Sequence, residues 1–152
     1  MKIVMQKVNY CKLSVDGKLY SEIGEGVLLA VGVDRDDTMQ DVVKAATKLT
    51  KMRIFKDDND KINLSLLDVG GDCMVVSNFT LNAYISSGTR PDFSRSADMN
   101  KANTLYLALA EEIKKCGVKN VQTGHFRTHM HIDTVLDGPF TIVYDTAEHN
   151  RK

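Results

Sequence analysis

Apolar and polar residues alternate over residues 2–15, which is the two-residue period of a strand with two different faces. We predict one long bent strand or a pair of strands there. The dipeptide Asp16-Gly17 is a strong signal for a hairpin turn, so residues 19–23 should pair back antiparallel. The run from Val27 to Val33 has no alternation, and we therefore predict a central strand that is covered on both faces.

Two later segments repeat apolar residues at the three- to four-residue spacing of an amphipathic helix. We predict the first helix from about Met39 to Met52, after the N-cap candidates Asp36-Asp37-Thr38. We predict the second from about Asn100 to Cys116, where Gly117 supplies a C-terminal stop. The resulting order of strands and helices predicts an α+β fold, with mainly antiparallel sheet layers packed by the two helices, rather than a doubly wound sheet.

Length and composition set the broad class of the protein. The 152 residues suffice for one domain, which we expect over residues 1–146, with a flexible tail over residues 147–152. The 20 basic and 20 acidic residues argue against non-specific binding to long nucleic acid, but not against contact with one end of an RNA. No apolar stretch approaches the roughly 20 residues of a membrane span, and charge comes too early for a signal peptide.

Cysteines and histidines do not form metal-binding patterns in this sequence. The three cysteines are widely spaced, which favours a reduced setting over disulfides or a thiolate site, so we expect a cytoplasmic protein. His125, His129 and His131 lack a Cys or Glu at ligand spacing, and Thr128 to Thr134 alternates like a half-exposed strand. The acidic run from Asp57 to Asp60 lacks the glycine and the glutamate of a calcium loop. We expect no metal and no cofactor.

Two blocks place small hydroxyl residues and free backbone groups at predicted strand ends. Ser77-Asn78-Phe79-Thr80-Leu81 follows an apolar run, and Asp137-Gly138-Pro139-Phe140-Thr141 precedes another. Such positions suit a site that holds a small polar substrate. Local reasoning leaves purely structural alternatives open, because strand-end hydroxyls often bond nearby backbone and Gly-Pro often forms a tight turn. No nucleophile elbow or glycine-rich phosphate loop occurs in the sequence.

Together the two blocks resemble the D-aminoacyl-tRNA deacylase family, and the likeness runs over nearly the whole chain. It also includes Met5-Gln6-Lys7-Val8, Gly24-Glu25-Gly26-Val27, Arg53-Ile54-Phe55, Gly88-Thr89-Arg90-Pro91-Asp92-Phe93 and Gln122-Thr123-Gly124-His125-Phe126. The resemblance implies a barrel-like sheet. It also implies hydrolysis of the ester that joins a D-amino acid, or glycine, to the terminal adenosine of tRNA, as chiral proofreading in translation.

The resemblance further implies a homodimer in which Gly138 and Pro139, joined by a cis peptide bond, reach the site of the partner subunit. Their carbonyl groups would face the α-amino group of the substrate. An L side chain would collide with this rigid backbone, whereas a D side chain or a hydrogen would not.

The same resemblance places Ser77, Asn78, Phe79 and Thr80 on the catalytic wall. Backbone N–H groups near Phe79 and Thr80 would stabilise the oxyanion. Because Thr80 has no base beside it in the motif, we expect it to act as a positioning residue rather than as a nucleophile. Water would attack, with help from the ribose 2′-hydroxyl of the RNA.

The remaining site residues also follow from the resemblance. Phe126 and Met130 match positions that pack on the terminal adenine. Lys7, Arg90 and Thr141 are expected to support the site.

Three residues depart from the family pattern, and all three touch the expected site. Asn78 replaces a glutamine, Leu136 an asparagine, and Lys7 an arginine that helps to hold the Gly-Pro loop. Lysine lacks the planar fork of a guanidinium. Two alternatives therefore stay open: a paralogue of relaxed stereoselectivity that clears mischarged L-aminoacyl-tRNA, and a non-catalytic protein that binds a tRNA end or a nucleotide.

Overall fold

The computed structural model describes residues 1–86 and 88–149 of the chain. In chain order the elements are β1 (Lys2–Val15), β2 (Lys18–Ile23), β3 (Gly26–Gly32), α1 (Met39–Lys51), β4 (Arg53–Lys56), β5 (Ile62–Ser65), α2 (Leu66–Val69), β6 (Asp72–Ser77), a 3₁₀ turn (Phe79–Asn82), α3 (Met99–Lys115), β7 (Val121–Thr123), β8 (His131–Asp145) and α4 (Thr146–His149). Among these residues, no helix is both long and apolar enough to cross a membrane.

The main sheet has the strand order β2-β1-β3-β6-β7, and β8 pairs with the other edge of β1. β1 is antiparallel to β2, β3 and β8, whereas β6 is parallel to both of its neighbours. At the ends of the sheet, the Ser21 hydroxyl of β2 donates a hydrogen bond of 2.9 Å to the Thr123 carbonyl of β7. The sheet therefore curls into a nearly closed barrel, and the predicted α+β class is confirmed.

β1 is one long strand, and it bends where its register against β8 slips on either side of Val8. Such slips turn side chains from one face of a strand to the other. Val8 consequently packs in a second, smaller core, apart from the main core that contains Ile3 and Met5. Of the two alternatives for residues 2–15, the single bent strand is the one observed.

The two long helices pack on the main core within one residue of their predicted bounds. Thr38 caps α1, since its backbone N–H and its hydroxyl both donate to the Asp41 carboxylate, at 2.9 and 2.7 Å. Asp98 caps α3 by accepting two backbone hydrogen bonds of 3.0 Å. Gly117, with a φ of +113°, follows the end of α3.

One expectation about the last third of the chain needs correction, and another stays a prediction. The strand expected from Thr128 begins only at His131, because the preceding residues form a turn in which the Thr128 hydroxyl donates to the His125 carbonyl at 2.9 Å. The expected flexible tail begins inside a short helix, Thr146–His149, whose first residue is buried against the N-terminal ammonium at 2.6 Å. Residues 150–152 of the expected tail lie outside the described residues.

Candidate active site

A pocket of about 550 Å³ opens beside the carboxyl end of β6. Five residues that the sequence singled out contribute to its lining: Ser77, Asn78, Phe79, Phe126 and Met130. Because β6 and the turn before β8 are far apart in the chain, only the fold brings these two groups together. The volume lies in the range of pockets that hold small organic ligands.

One wall of the pocket is the 3₁₀ turn after β6, and the turn is held close to β3. The Asn78 N–H donates to the Val31 carbonyl at 2.8 Å, and the buried Asn82 amide donates to the Val33 carbonyl at 2.7 Å. A Cβ on Gly32 would lie 2.9 Å from Asn82 Oδ1. The close approach of the turn to β3 therefore requires glycine at position 32.

Thr80 is exposed on this turn, beside the pocket rather than in its lining. Its hydroxyl donates a hydrogen bond to Asn78 Oδ1. An amide oxygen is not a base, so this contact orients the hydroxyl and does not activate it as a nucleophile. The geometry agrees with a positioning role for Thr80, and that role stays a prediction.

The facing wall carries Phe126 and Met130, and buried Tyr106 holds it in place. The Tyr106 hydroxyl lies 3.0 Å from both the Val75 and the Gly124 carbonyl oxygens, and its ring stacks on Phe126 with centroids 6.1 Å apart. Burial raises the pKa of Tyr106 to about 12, so the hydroxyl stays protonated as a donor. Tyr106 thus links β6, which leads into the Ser77–Leu81 block, to the turn that carries Phe126, and sequence reasoning missed it.

The second block, Asp137–Thr141, lies inside β8 and not at a strand end, so that expectation is wrong. Its first four residues, Asp137–Phe140, form a bulge. Four residues of β8 stand opposite Lys7 of β1, since pairing stops at Leu136 and resumes at Thr141. The Gly138–Pro139 peptide bond is cis, and Gly138 has a φ of +123°. Both residues are exposed, and neither lines the pocket of its own chain.

Lys7 lies directly beside this bulge. Its Nζ is 2.7 Å from Asp137 Oδ2, and it also lies 5.1 Å from the centre of the Phe55 ring. Only 14% of the Lys7 side chain is exposed, so the ion pair is partly shielded from water. Arg90, in contrast, is exposed in the loop before α3 and lies outside the pocket lining. The structure brings Lys7 to the Gly-Pro bulge but does not bring Arg90 to the pocket.

Comparison with known proteins identifies the family. The family model described as D-Tyr-tRNA(Tyr) deacylase matches residues 4–145 of the chain. This chain belongs to that family. A D-aminoacyl-tRNA deacylase of Thermomicrobium roseum is 45% identical over 148 residues, which cover 97% of this chain and 96% of the relative. A D-aminoacyl-tRNA deacylase of Clostridioides difficile is 42% identical over 148 residues, which cover 97% of this chain and 99% of the relative.

A solved structure supports the same fold. The protein titled "c-Myc DNA Unwinding Element Binding Protein" superposes with a TM-score of 0.90 at 28% identity, covering 95% of this chain and 98% of its own. The predicted family, fold class and enzyme class, a D-aminoacyl-tRNA deacylase, are therefore confirmed.

The three departures from the deacylase pattern fall at two places in the structure. Asn78 lies on the pocket wall formed by Ser77–Phe79, where its shorter side chain reaches the Thr80 hydroxyl. Lys7 and Leu136 flank the Gly-Pro bulge, where Lys7 makes one ion pair to a side chain and Leu136 is 42% exposed. The departures therefore fall on one wall of the pocket and on the flanks of the bulge.

Several lining residues of this deacylase pocket were missed by sequence reasoning, namely Val33, Ser96, Ala97, Met99, Ala102, Arg127 and Thr128. The small and apolar residues among them carry no chemical signal in a sequence. Arg127 lies outside the motifs on which the site prediction rested. The His129 and His131 rings are in contact, with centroids 4.9 Å apart. However, no group of three or more His, Cys, Asp or Glu side chains that could hold a metal occurs among the described residues.

Proposed function

We propose that this deacylase hydrolyses the ester bond of D-aminoacyl-tRNA, and also of glycyl-tRNA, releasing the free amino acid and tRNA. The observation that carries the proposal is the single pocket that joins the Ser77–Phe79 wall to Phe126 and Met130. An apolar wall and a wall rich in polar groups suit the two ends of an aminoacylated adenosine. Membership of the deacylase family supports the reaction class.

In this proposal the terminal adenine packs against Phe126 and Met130. Both side chains are half-buried, so each offers an apolar face to a ligand. Stacking of a base on an aromatic ring contributes about 1–3 kcal/mol. Since Tyr106 fixes Phe126 from behind, the adenine meets a preformed wall.

The ester then lies at the 3₁₀ turn. Phe79 and Thr80 open this turn, and the opening N–H groups of a helix have no partner inside it. These two N–H groups are therefore well suited to donate hydrogen bonds to the carbonyl oxygen as negative charge develops on it. Water attacks the ester carbon with help from the neighbouring ribose 2′-hydroxyl, while the Thr80 hydroxyl, oriented by Asn78, positions the reacting groups.

Selection of the D configuration requires a second copy in this proposal. Gly138 and Pro139 are exposed and lie outside their own pocket, so they are free to enter a partner's pocket. β8 has β1 on one edge and no paired strand on the other among the described residues, and four of its apolar side chains are 42–70% exposed: Ile132, Val135, Leu136 and Val143. A second copy would cover this apolar edge strand. The Gly-Pro backbone would then exclude an L side chain.

Relaxed stereoselectivity is the second candidate function. The observation that favours it is the Lys7–Asp137 ion pair, which holds the bulge through one side chain and not through a bidentate guanidinium.

We also propose a cytoplasmic location, where the free cysteines Cys11, Cys73 and Cys116 stay reduced.

Deacylation assays with D-tyrosyl-, glycyl- and L-alanyl-tRNA distinguish the candidates. We expect hydrolysis of the first two and little of the third. Comparable hydrolysis of L-alanyl-tRNA would favour the relaxed paralogue, and retained RNA binding without hydrolysis of any substrate would contradict both enzymatic functions.

Analytical ultracentrifugation tests the dimer, and a monomer that still discriminates between D- and L-substrates would refute selection by a partner.

A further inference from the structure

Arg127 has an unusual backbone conformation for an arginine. Its φ is +61°, in the left-handed region that residues with a Cβ adopt only at a cost. The turn around it is fixed, because the Gly124 N–H donates to the Val75 carbonyl at 2.9 Å and the Thr128 hydroxyl donates to the His125 carbonyl at 2.9 Å. Glycine would suit this position better, so the arginine side chain needs an explanation.

The guanidinium of Arg127 is exposed at the pocket and has no carboxylate partner among the residues that the structure describes. Arg35 and Arg95, in contrast, lie 3.9 and 3.6 Å from aspartate oxygens. The exposed neighbours His125 and His129 carry no negative charge. A cation without a partner at the rim of a pocket attracts anionic ligands.

We propose that Arg127 binds the first phosphate on the 5′ side of the terminal adenosine of the RNA. This inference rests on the proposed function, which places the adenine at Phe126 and Met130 and the ester at the 3₁₀ turn. In that arrangement the adenine and the ester both lie inside the pocket. The rest of the RNA is attached at the ribose 5′ carbon, so it has to leave through the mouth of the pocket. Arg127 follows Phe126 directly and lines the same pocket, so its side chain lies near that exit.

Arginine suits this task because its planar, two-pronged donor matches the oxygens of a phosphate. The contact would contribute to binding and not to the chemical step, because the phosphate does not take part in ester hydrolysis. A protein with zero net charge has no general attraction for RNA. The loss of one phosphate contact should therefore be measurable against a low background.

The experiment compares three substrates that carry the same D-tyrosyl ester: full tRNA, adenosine 5′-monophosphate and adenosine. We expect Arg127→Gln to raise KM about tenfold for the two substrates that contain the phosphate, with kcat unchanged. KM for the adenosine ester should not change. Arg127→Lys should recover part of the loss. In Arg127→Gln, the slope of log KM for tRNA against log salt concentration should decrease by about 0.7.

Arg53→Gln is the matched control, because Arg53 is an exposed arginine outside the pocket lining and should leave all three KM values unchanged. Arg127→Gly removes the same charge and relieves the backbone, so it should reproduce the glutamine variant. An equal rise in KM for the adenosine ester would overturn the inference, because the arginine would then act through the shape of the turn. A rise for tRNA alone, or for no substrate, would also overturn it.

Binding of uncharged tRNA, followed by fluorescence anisotropy, separates this inference from the proposed function. If the unchanged protein hydrolyses none of the esters, the proposed function fails. Weaker tRNA binding by Arg127→Gln than by Arg53→Gln would even then support the phosphate contact. Equal binding by the two variants would overturn it.

Discussion

The 3₁₀ turn Phe79–Asn82 and the bulge Asp137–Phe140 are held in opposite ways. Hydrogen bonds to the carbonyls of Val31 and Val33, at 2.8 and 2.7 Å, anchor the turn and its first flanking residue to the core. Gly138 and Pro139 of the bulge are exposed, and the ion pair from Lys7 supports the bulge from one side. The wall proposed for chemistry is thus complete within one chain. The element proposed for selection points away from that chain and needs a second copy.

Replacement of Gly32 by alanine should have the largest effect, because it breaks the anchored wall. The added Cβ would lie 2.9 Å from Asn82 Oδ1 and 3.1 Å from the Asn78 carbonyl oxygen, so the turn has to shift. We expect kcat/KM for D-tyrosyl-tRNA to fall about 100-fold, and the free energy of unfolding to fall by about 1–3 kcal/mol. Gly24→Ala is the matched control, since its nearest contact would be 3.6 Å. Equal losses in both variants would contradict the argument.

Thr80→Ala tests the wall without disturbing its anchor. The hydroxyl is exposed and its one observed partner is Asn78, so its removal should leave the melting temperature unchanged. We expect kcat to fall about tenfold, since one hydrogen bond contributes about 0.5–1.5 kcal/mol. Thr80→Ser, which keeps the hydroxyl, should retain most of the activity. Unchanged turnover in the alanine variant would remove Thr80 from the site.

Phe126→Ala removes the surface proposed for the adenine. Because stacking contributes about 1–3 kcal/mol, we expect KM for D-tyrosyl-tRNA to rise about tenfold while kcat falls less. Phe126→Tyr keeps the aromatic ring and should stay close to the unchanged protein. Steady-state kinetics measure kcat and KM for both variants. A loss confined to kcat would argue against adenine packing.

Lys7→Gln weakens the bulge and should have the smallest effect. An ion pair that is partly exposed contributes about 1 kcal/mol or less. We therefore expect the preference for D-tyrosyl- over L-alanyl-tRNA to drop about threefold, while kcat for the D-substrate changes little. Lys114→Gln is the control, because it breaks an exposed ion pair of 2.7 Å to Glu111, outside the pocket lining. A fall in kcat without any change in preference would show that Lys7 serves the catalytic wall instead.

Local elements of the fold were largely predictable from the sequence. The hairpin at Asp16-Gly17 and both long helices follow from short-range patterns, and the observed helices lie within one residue of the predicted bounds. The strand whose start was misplaced, β8, pairs with β1 at the other end of the chain. β5 and α2 were not predicted, because each is only four residues long and too short for a periodic pattern to stand out.

The site was predictable to a similar extent. Ser77, Asn78, Phe79, Phe126 and Met130 were named through the family motifs, and all five line one pocket. Residues that contribute only shape or support gave no signal of their own.

The sequence alone determined which segments form helices and strands, because side-chain periodicity and turn chemistry act over a few neighbouring residues. It also determined the family, through motifs spread along the chain. Only the tertiary structure decided that β6 lies parallel to β3, that Lys7 meets Asp137, and that Arg127 borders the pocket. These contacts join residues from distant parts of the chain, and they arise from the packing of whole elements around a common core, which no local pattern specifies.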